Sequence, residues 1–283
     1  MGYQKFKANV WAKNIETELE RSLVFVKDCN RAYEGTVKKL GDSVTIKGAG
    51  KVTMHSDDDG VSPNFSTTVA PEDVEGTNTI MTIKHWTAFN FKVDDIDSAQ
   101  GAGGAISIYT KQASHNIANA QDVLVASLAA DPLAVKDNSS AVQITANNVL
   151  ETIDAGLQKL WENDVKPNDY VSLTVSPRFY MILKEKYQAL DTDNSEMLKR
   201  GAVAMYGNID IKLSNNVLTA NSGAVDLIML RTKNAIAFAN PLTKVEPYRP
   251  DAFMSDAVRG ISLYDAKIIR PEQMIVLNCK YTA

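Results

Sequence analysis

Between Ala105 and Asp131 the apolar positions recur at helical spacing. Ala113, Ile117, Ala120, Leu124 and Leu128 step by four, three, four and four. The stretch has no Gly and no Pro, and good helix formers fill it. The pattern predicts a single helix, which at 1.5 Å per residue would run roughly 40 Å. Asp131-Pro132 marks its end, because the residue before a proline is pushed out of helical geometry. The stripe is narrow and Ala-rich, which suits a helix lying across a sheet. Just upstream, Phe89-Asn90-Phe91-Lys92-Val93 alternates strictly and reads as a strand with one buried face. Asp94 to Gln100 forms an acidic turn, and Gly101-Ala102-Gly103-Gly104 a flexible joint into the helix.

The N-terminal pattern is weaker. Residues 1 to 12 have little period and read as an arm that needs a partner surface to order it. Trp11, Ile15, Leu19, Leu23 and Val26 then give a helical stripe ending near Cys29. This helix either packs on its own domain or reaches across a neighbouring subunit. Leu40-Gly41-Asp42-Ser43-Val44-Thr45-Ile46 shows a turn followed by alternation, which Val52 and Met54 continue. Residues 55 to 78 hold Gly, Pro, Ser, Thr and acids, with almost no core-forming period, and Thr79 to Ile83 resumes the strand. The reading is an extended hairpin with a long irregular return. A lone hairpin is marginal in water, so this one must lean on something.

Beyond the long helix a second unit begins. Val149, Ile153, Leu157 and Leu160 form a helix, with Asn148 and Glu151 spaced like a capping box. Val171 to Val175 is a short buried strand. Ser176-Pro177 opens another helix as cap and first-turn proline, with Tyr180, Leu183, Tyr187 and Leu190 as its buried stripe. Asp193 and Glu196 offer a third cap. Ile209, Ile211 and Leu213 alternate with Asp210 and Lys212 as a half-exposed strand, while Val225 to Leu230 and Ala235 to Ala239 read as fully buried. From Val258 to Asn278 the chain returns to strands, Met274 to Leu277 being the clearest. The layout is a first unit interrupted by a compact α/β unit and then completed by the tail.

Composition narrows the class. A chain of 283 residues, 45% apolar and 23% charged, is globular. A net charge of −4 argues against a protein that coats nucleic acid by charge. The opening MGYQKFKANVWAKN has no continuous apolar run, so no signal peptide is expected, and no segment has the length of apolar residues that spans a membrane. Cys29 and Cys279 fit a reducing compartment, although the pair alone leaves one bridge open. Charge is uneven along the hairpin. Lys38, Lys39, Lys47 and Lys51 stand against Asp42 in its first section. Asp57, Asp58, Asp59, Glu72, Asp73 and Glu75 fill its return, with no Lys or Arg. Either this is a solvated surface, or the two sections meet opposite charges on other copies.

Candidate chemistry is sparse, and catalytic, cofactor-binding and metal-site residues are all assigned as none. His55, His85 and His115 are isolated and lack the i, i+4 pairing of a zinc protease. The Gly101 to Gly104 joint lacks the Gly-Lys-Ser/Thr ending of a phosphate loop. Asp94, Asp95 and Asp97 read as a solvated or capping turn. Asp191-Thr192-Asp193-Asn194-Ser195 begins like a calcium loop, but Glu196 stands where the sharp-turn Gly is needed.

Strand, acidic turn, Gly joint and long helix, in this order, resemble the centre of the tailed-phage major capsid proteins of the Hong Kong 97 type. Local strings are similar too: Tyr33-Glu34-Gly35 before Gly41-Asp42-Ser43-Val44, Val93-Asp94-Asp95-Ile96-Asp97, Val175-Ser176-Pro177-Arg178-Phe179-Tyr180, and Phe253-Met254-Ser255-Asp256-Ala257-Val258-Arg259-Gly260. The resemblance implies an α+β, Hong Kong 97-like capsid fold. Residues 1–33 would be the N-terminal arm and helix, and 34–85 the extended β-hairpin loop. Residues 86–135 with 246–283 would be the peripheral domain with its long spine helix, and 136–245 the axial domain. It implies a coat protein whose copies form pentamers and hexamers of an icosahedral head around double-stranded DNA, contacted without sequence specificity. A separate scaffolding protein and a portal are implied partners, because the chain starts at the arm without a built-in scaffold. No membrane is involved, and the implied location is the virion, assembled in the bacterial cytoplasm. An encapsulin-like nanocompartment shell shares this fold. A cytoplasmic enzyme with an unrecognised site is the alternative from another class.

Overall fold

The computed structural model describes residues 23–34, 39–47, 78–94, 105–137, 140–189, 205–207, 209–250 and 255–281. The stripe of Trp11, Ile15 and Leu19, the Val52 and Met54 continuation, the acidic return, the Gly joint and the Asp193–Glu196 cap lie outside these residues.

The expected long helix is present as α1, Ala105–Ser127, tightening into a short 3-10 turn at Leu128–Ala130. Asp131 then leaves in extended geometry (φ −61°, ψ 140°), as the following proline demands. The buried face sits one position away from the apolar stripe of the sequence. Ala113, Ser114, Ile117, Ala118, Gln121, Asp122, Val125, Ala126 and Ala129 are buried, while Ala120, Leu124 and Leu128 are only half-buried. Two polar residues occupy the middle of that face because each has a partner waiting there, described below.

The strand Phe89 to Val93 is part of β3, His85–Asp94, in a sheet with two long strands, β11 (Ile236–Tyr248) and β12 (Ser255–Ile268). The order is β11-β12-β3, all antiparallel. Helix α1 crosses one face of this sheet: Gln121 Nε2 donates to Ser262 Oγ at 3.2 Å, and Phe91 lies 5.9 Å from the Tyr109 ring. The base of the hairpin packs over the sheet as well. Strands β1 (Ser43–Lys47) and β2 (Asn78–Thr82) pair antiparallel from Ser43↔Thr82 to Lys47↔Asn78. Val44, Ile46, Met81 and Ile83 face Ala237, Ala239 and Leu263 in a small core of their own. The turn into β1 needs Gly41, whose φ of +88° is left-handed; its N–H donates to Ile83 O at 3.0 Å. The hairpin leans on the sheet, as a two-stranded unit must.

The second sheet has eight strands on the path β4-β13-β10-β6-β8-β7, with β5 and β9 attached to β13 and β10; its short members are β4 (Val135–Lys136), β5 (Val142–Gln143), β7 (Met205–Tyr206) and β9 (Thr219–Ala220). Its centre is β10 (Val225–Thr232), buried along its whole length, flanked by β6 (Val171–Val175) and β13 (Met274–Lys280). Strand β8 (Ile209–Leu213) runs parallel to β6, with Ile209 and Ile211 buried and Asp210 and Lys212 half-buried. Leu213 departs from the alternation and is exposed. Two helices, α2 (Val149–Glu162) and α3 (Pro177–Ala189), pack against the sheet. Helix α2 lies so close that a Cβ on Gly156 would come within 3.0 Å of Leu277 Cδ2 and 3.1 Å of Leu230 Cδ2.

Three local expectations need correction. The tail does not simply finish the first unit, because Met274–Lys280 joins the eight-stranded sheet beside β10. Its side chains from Met274 to Cys279 are buried on both faces, which requires a sheet covered on both sides. The Asn148–Glu151 capping box does not form. Instead Asn148 turns back, accepting from Thr145 N–H at 2.8 Å and donating to Gln143 O at 2.8 Å. The stripe of α3 is carried by Phe179 and Leu183, with Tyr180 half-buried; the Tyr187 side chain and Leu190 lie outside the described residues.

The second cap does form: Phe179 N–H donates to Ser176 Oγ at 3.3 Å ahead of Pro177. Ser176→Ala is expected to cost about 1 kcal/mol. In a thermal melt that should appear as a fall of about 2–4 °C. No fall would show that this bond contributes nothing.

Candidate functional site

The residues singled out for chemistry do not converge. His85 Nδ1 lies 3.2 Å from Asp265 Oδ2, with its ring stacked on Tyr264, and His115 is exposed on α1. His55, Asp95, Asp97, Gly101 to Gly104 and Asp191 to Glu196 lie outside the described residues. Asp94 ends β3 opposite Ser255. Among the described residues no group of three metal-ligating side chains comes together. The two thiols, Cys29 and Cys279, are free and buried, and burial pushes both above the ordinary cysteine range.

What the structure does assemble is a polar knot around a short N-terminal strap, Leu23 to Asn30. Leu23, Phe25, Val26 and Cys29 are buried in the main core. The strap contains only a 3-10 turn, Val26–Asp28, so several of its N–H and C=O groups need outside partners. On one side the Asp122 carboxylate of α1 accepts three backbone bonds. Val24 N–H reaches Oδ2 at 2.8 Å, and Phe25 and Val26 N–H reach Oδ1 at 3.1 Å each. On the other side stands Arg231 of β10, which has no exposed surface. It donates to Phe25 O at 2.6 Å, to Asp28 O at 2.8 Å and to Cys29 Sγ at 3.3 Å. Burial pushes the Asp122 carboxyl up; the three amide bonds and Arg231 pull it back without reversing the direction.

The solvent side of the strap is fastened by charge. Lys212 Nζ reaches Asp28 Oδ1 at 2.6 Å, and the Tyr170 hydroxyl donates to Asp28 Oδ1 at 3.2 Å and Asp210 Oδ2 at 2.8 Å. Burial would lower the Lys212 pKa, but Asp28 and Tyr170 together outweigh it and the net shift is upward. At the far end Asn30 enters the three-stranded sheet, donating from N–H to Ile236 O at 2.8 Å and accepting from Phe238 N–H at 3.0 Å. The part of the N-terminal region that is described therefore packs on its own chain rather than across a neighbour.

The Tyr170 hydroxyl is pushed up to about 12, first by burial, with Lys212 opposing and the Asp210 and Asp28 carboxylates adding to it. The folded chain thus holds this proton more tightly than the unfolded chain, whose tyrosine titrates near 10. The associated stability is whole below about pH 10 and is lost as pH rises toward 12. Tyr170→Phe is expected to make the alkaline fall in melting temperature shallower than in the wild type; an identical slope would show that Tyr170 is not the group responsible.

No family model matches the sequence. No curated protein matches it either. Solved structures do. A protein of Mycobacterium phage Che8 superposes with a TM-score of 0.71 at 23% identity, covering 90% of each chain. The capsid structure of cyanophage P-SCSP1u gives 0.66 at 14% identity, over 87% of this chain and 85% of that one. A virus-like particle from Pyrococcus furiosus gives 0.61 at 12% identity, over 98% and 100%. At these identities the likeness defines the fold, and the fold is that of phage capsid proteins.

Proposed function

We propose that this chain is a major capsid protein: a structural shell subunit, not an enzyme. Copies form pentamers and hexamers that close an icosahedral phage head around double-stranded DNA. The observation that carries this reading is a fold shared with a phage capsid structure over 87% of the chain. The contacts are heterologous, one patch meeting a different patch on the next copy, because only such contacts build rings of five and six. The hairpin 34–85 is the extended loop, based on the satellite core around Met81 and Leu263. The three-stranded sheet with α1 as spine forms the peripheral domain, and the eight-stranded sheet with α2 and α3 the axial domain. Trp86, 59% exposed, and Met181, 64% exposed, are surface side chains that a neighbouring copy would cover. DNA is contacted without sequence specificity, and scaffold and portal are separate partners in the bacterial cytoplasm.

An encapsulin-like compartment is the second reading, supported by the Pyrococcus furiosus particle. Its TM-score of 0.61 is below the 0.71 and 0.66 of the two phage structures, so the phage head is preferred.

Sedimentation and electron microscopy of the protein, expressed with its neighbouring genes, test the proposal. Closed particles in the megadalton range are expected. Their yield should fall with added salt, since the basic and acidic sections of the hairpin lose their attraction as charges are screened. A small stable oligomer under every condition would exclude a shell, and an unchanged yield across the salt series would exclude the charge pairing alone.

A further inference from the structure

The strap is tied to α1 and to both larger sheets. Asp122 ties it to α1, Arg231 to the middle of the eight-stranded sheet, Tyr170 and Lys212 to β6 and β8, and Asn30 to β11. The ties to Asp122 and Arg231 are desolvated: Phe25 is 1% exposed, Asp122 2%, and Val26, Cys29 and Arg231 none at all. Opening the strap would strand the Asp122 carboxylate and the Arg231 guanidinium in the interior without acceptors or donors, which is strongly unfavourable. We infer that Val24 to Asn30 form a permanent clasp. It locks the helix and the two sheets into one body and holds its own backbone against both. Arg231 and Asp122 act as positioning residues for the strap. The strap keeps this seat on the body when copies assemble.

The clasp carries its own reporter. Cys29 lies under Arg231, 3.3 Å from its guanidinium, and Cys279 is a second buried thiol in β13, away from the strap. Alkylation by a maleimide, mapped by peptide mass spectrometry, distinguishes the two. In the wild-type chain Cys29 should label as slowly as Cys279, both before and after assembly. Asp122→Asn keeps the side chain's shape but turns an amide N–H toward backbone donors. It should speed labelling of Cys29 at least tenfold while Cys279 stays protected. Cys29 labelling well ahead of Cys279 in the wild type, or released upon assembly, would overturn the inference. Unchanged labelling of Cys29 in the folded variant would also overturn it, because Asp122 would then not hold the strap. If Asp122→Asn does not fold, the wild-type comparison decides alone. The body-level claim is read on soluble chain, so it survives or fails separately from the shell reading on which its assembly arm rests.

Discussion

Arg231→Ala is expected to destabilise the chain by about 3–5 kcal/mol, the cost of breaking a buried, hydrogen-bonded charge network from one side. The side chain is among the largest that are fully buried. Its loss leaves Phe25 O and Asp28 O without their donors, and a void between β10 and the strap. The Asp122 carboxylate also loses the Arg231 charge that favours its ionised form. For a chain of this size the melting temperature should drop by roughly 10 °C. Arg231→Met is the instructive control. It fills most of the void without restoring the donors, so its cost should be visibly smaller if packing dominates and nearly equal if the unpaired carbonyls dominate. A loss under about 1 kcal/mol for the alanine variant would mean that the guanidinium contributes no more than an ordinary surface contact.

The second large effect separates folding from assembly. Replacing residues 48–77 by a short Gly-containing turn joins β1 to β2 directly. Both strands keep their register, and Val44, Ile46, Met81 and Ile83 keep their places against the three-stranded sheet. The shortened chain should therefore melt close to the wild type, because turn length alone changes loop-closure free energy only slightly. Yet it should form no closed particles, since in the capsid reading the removed residues reach neighbouring copies. Particles of normal size from the shortened chain would remove the loop from the assembly mechanism. A collapse of the melting transition would show instead that these residues serve the fold.

The elements were largely legible from periodicity. The 23-residue helix, the hairpin base, the fully buried β10 and the Ser176-Pro177 helix start all follow from spacing and cap chemistry. What was hidden has a common cause. Gln121 and Asp122 interrupt the apolar period of α1, so the stripe was drawn on the neighbouring positions; only long-range partners, 141 residues away for Gln121 and 96 to 98 for Asp122, account for burying them. One signal was available. Arg231 sits in the run Val225 to Thr232, which is otherwise dominated by apolar side chains, and an arginine in a doubly covered strand must find acceptors. Which acceptors it finds depends on the fold, as does the placing of Met274 to Lys280 in the eight-stranded sheet.

That placing has a consequence for synthesis. Strand β13 is wedged between β4 and β10, and it also anchors β5, so the larger sheet is missing an inner rib until residue 280 has been translated. A nascent chain emerging from the ribosome lacks this rib, and one edge of β10 stays unpaired until it arrives. The order of synthesis thus sets an order of folding: α2, α3 and β10 are made first, and the eight-stranded sheet closes around them only when β13 follows.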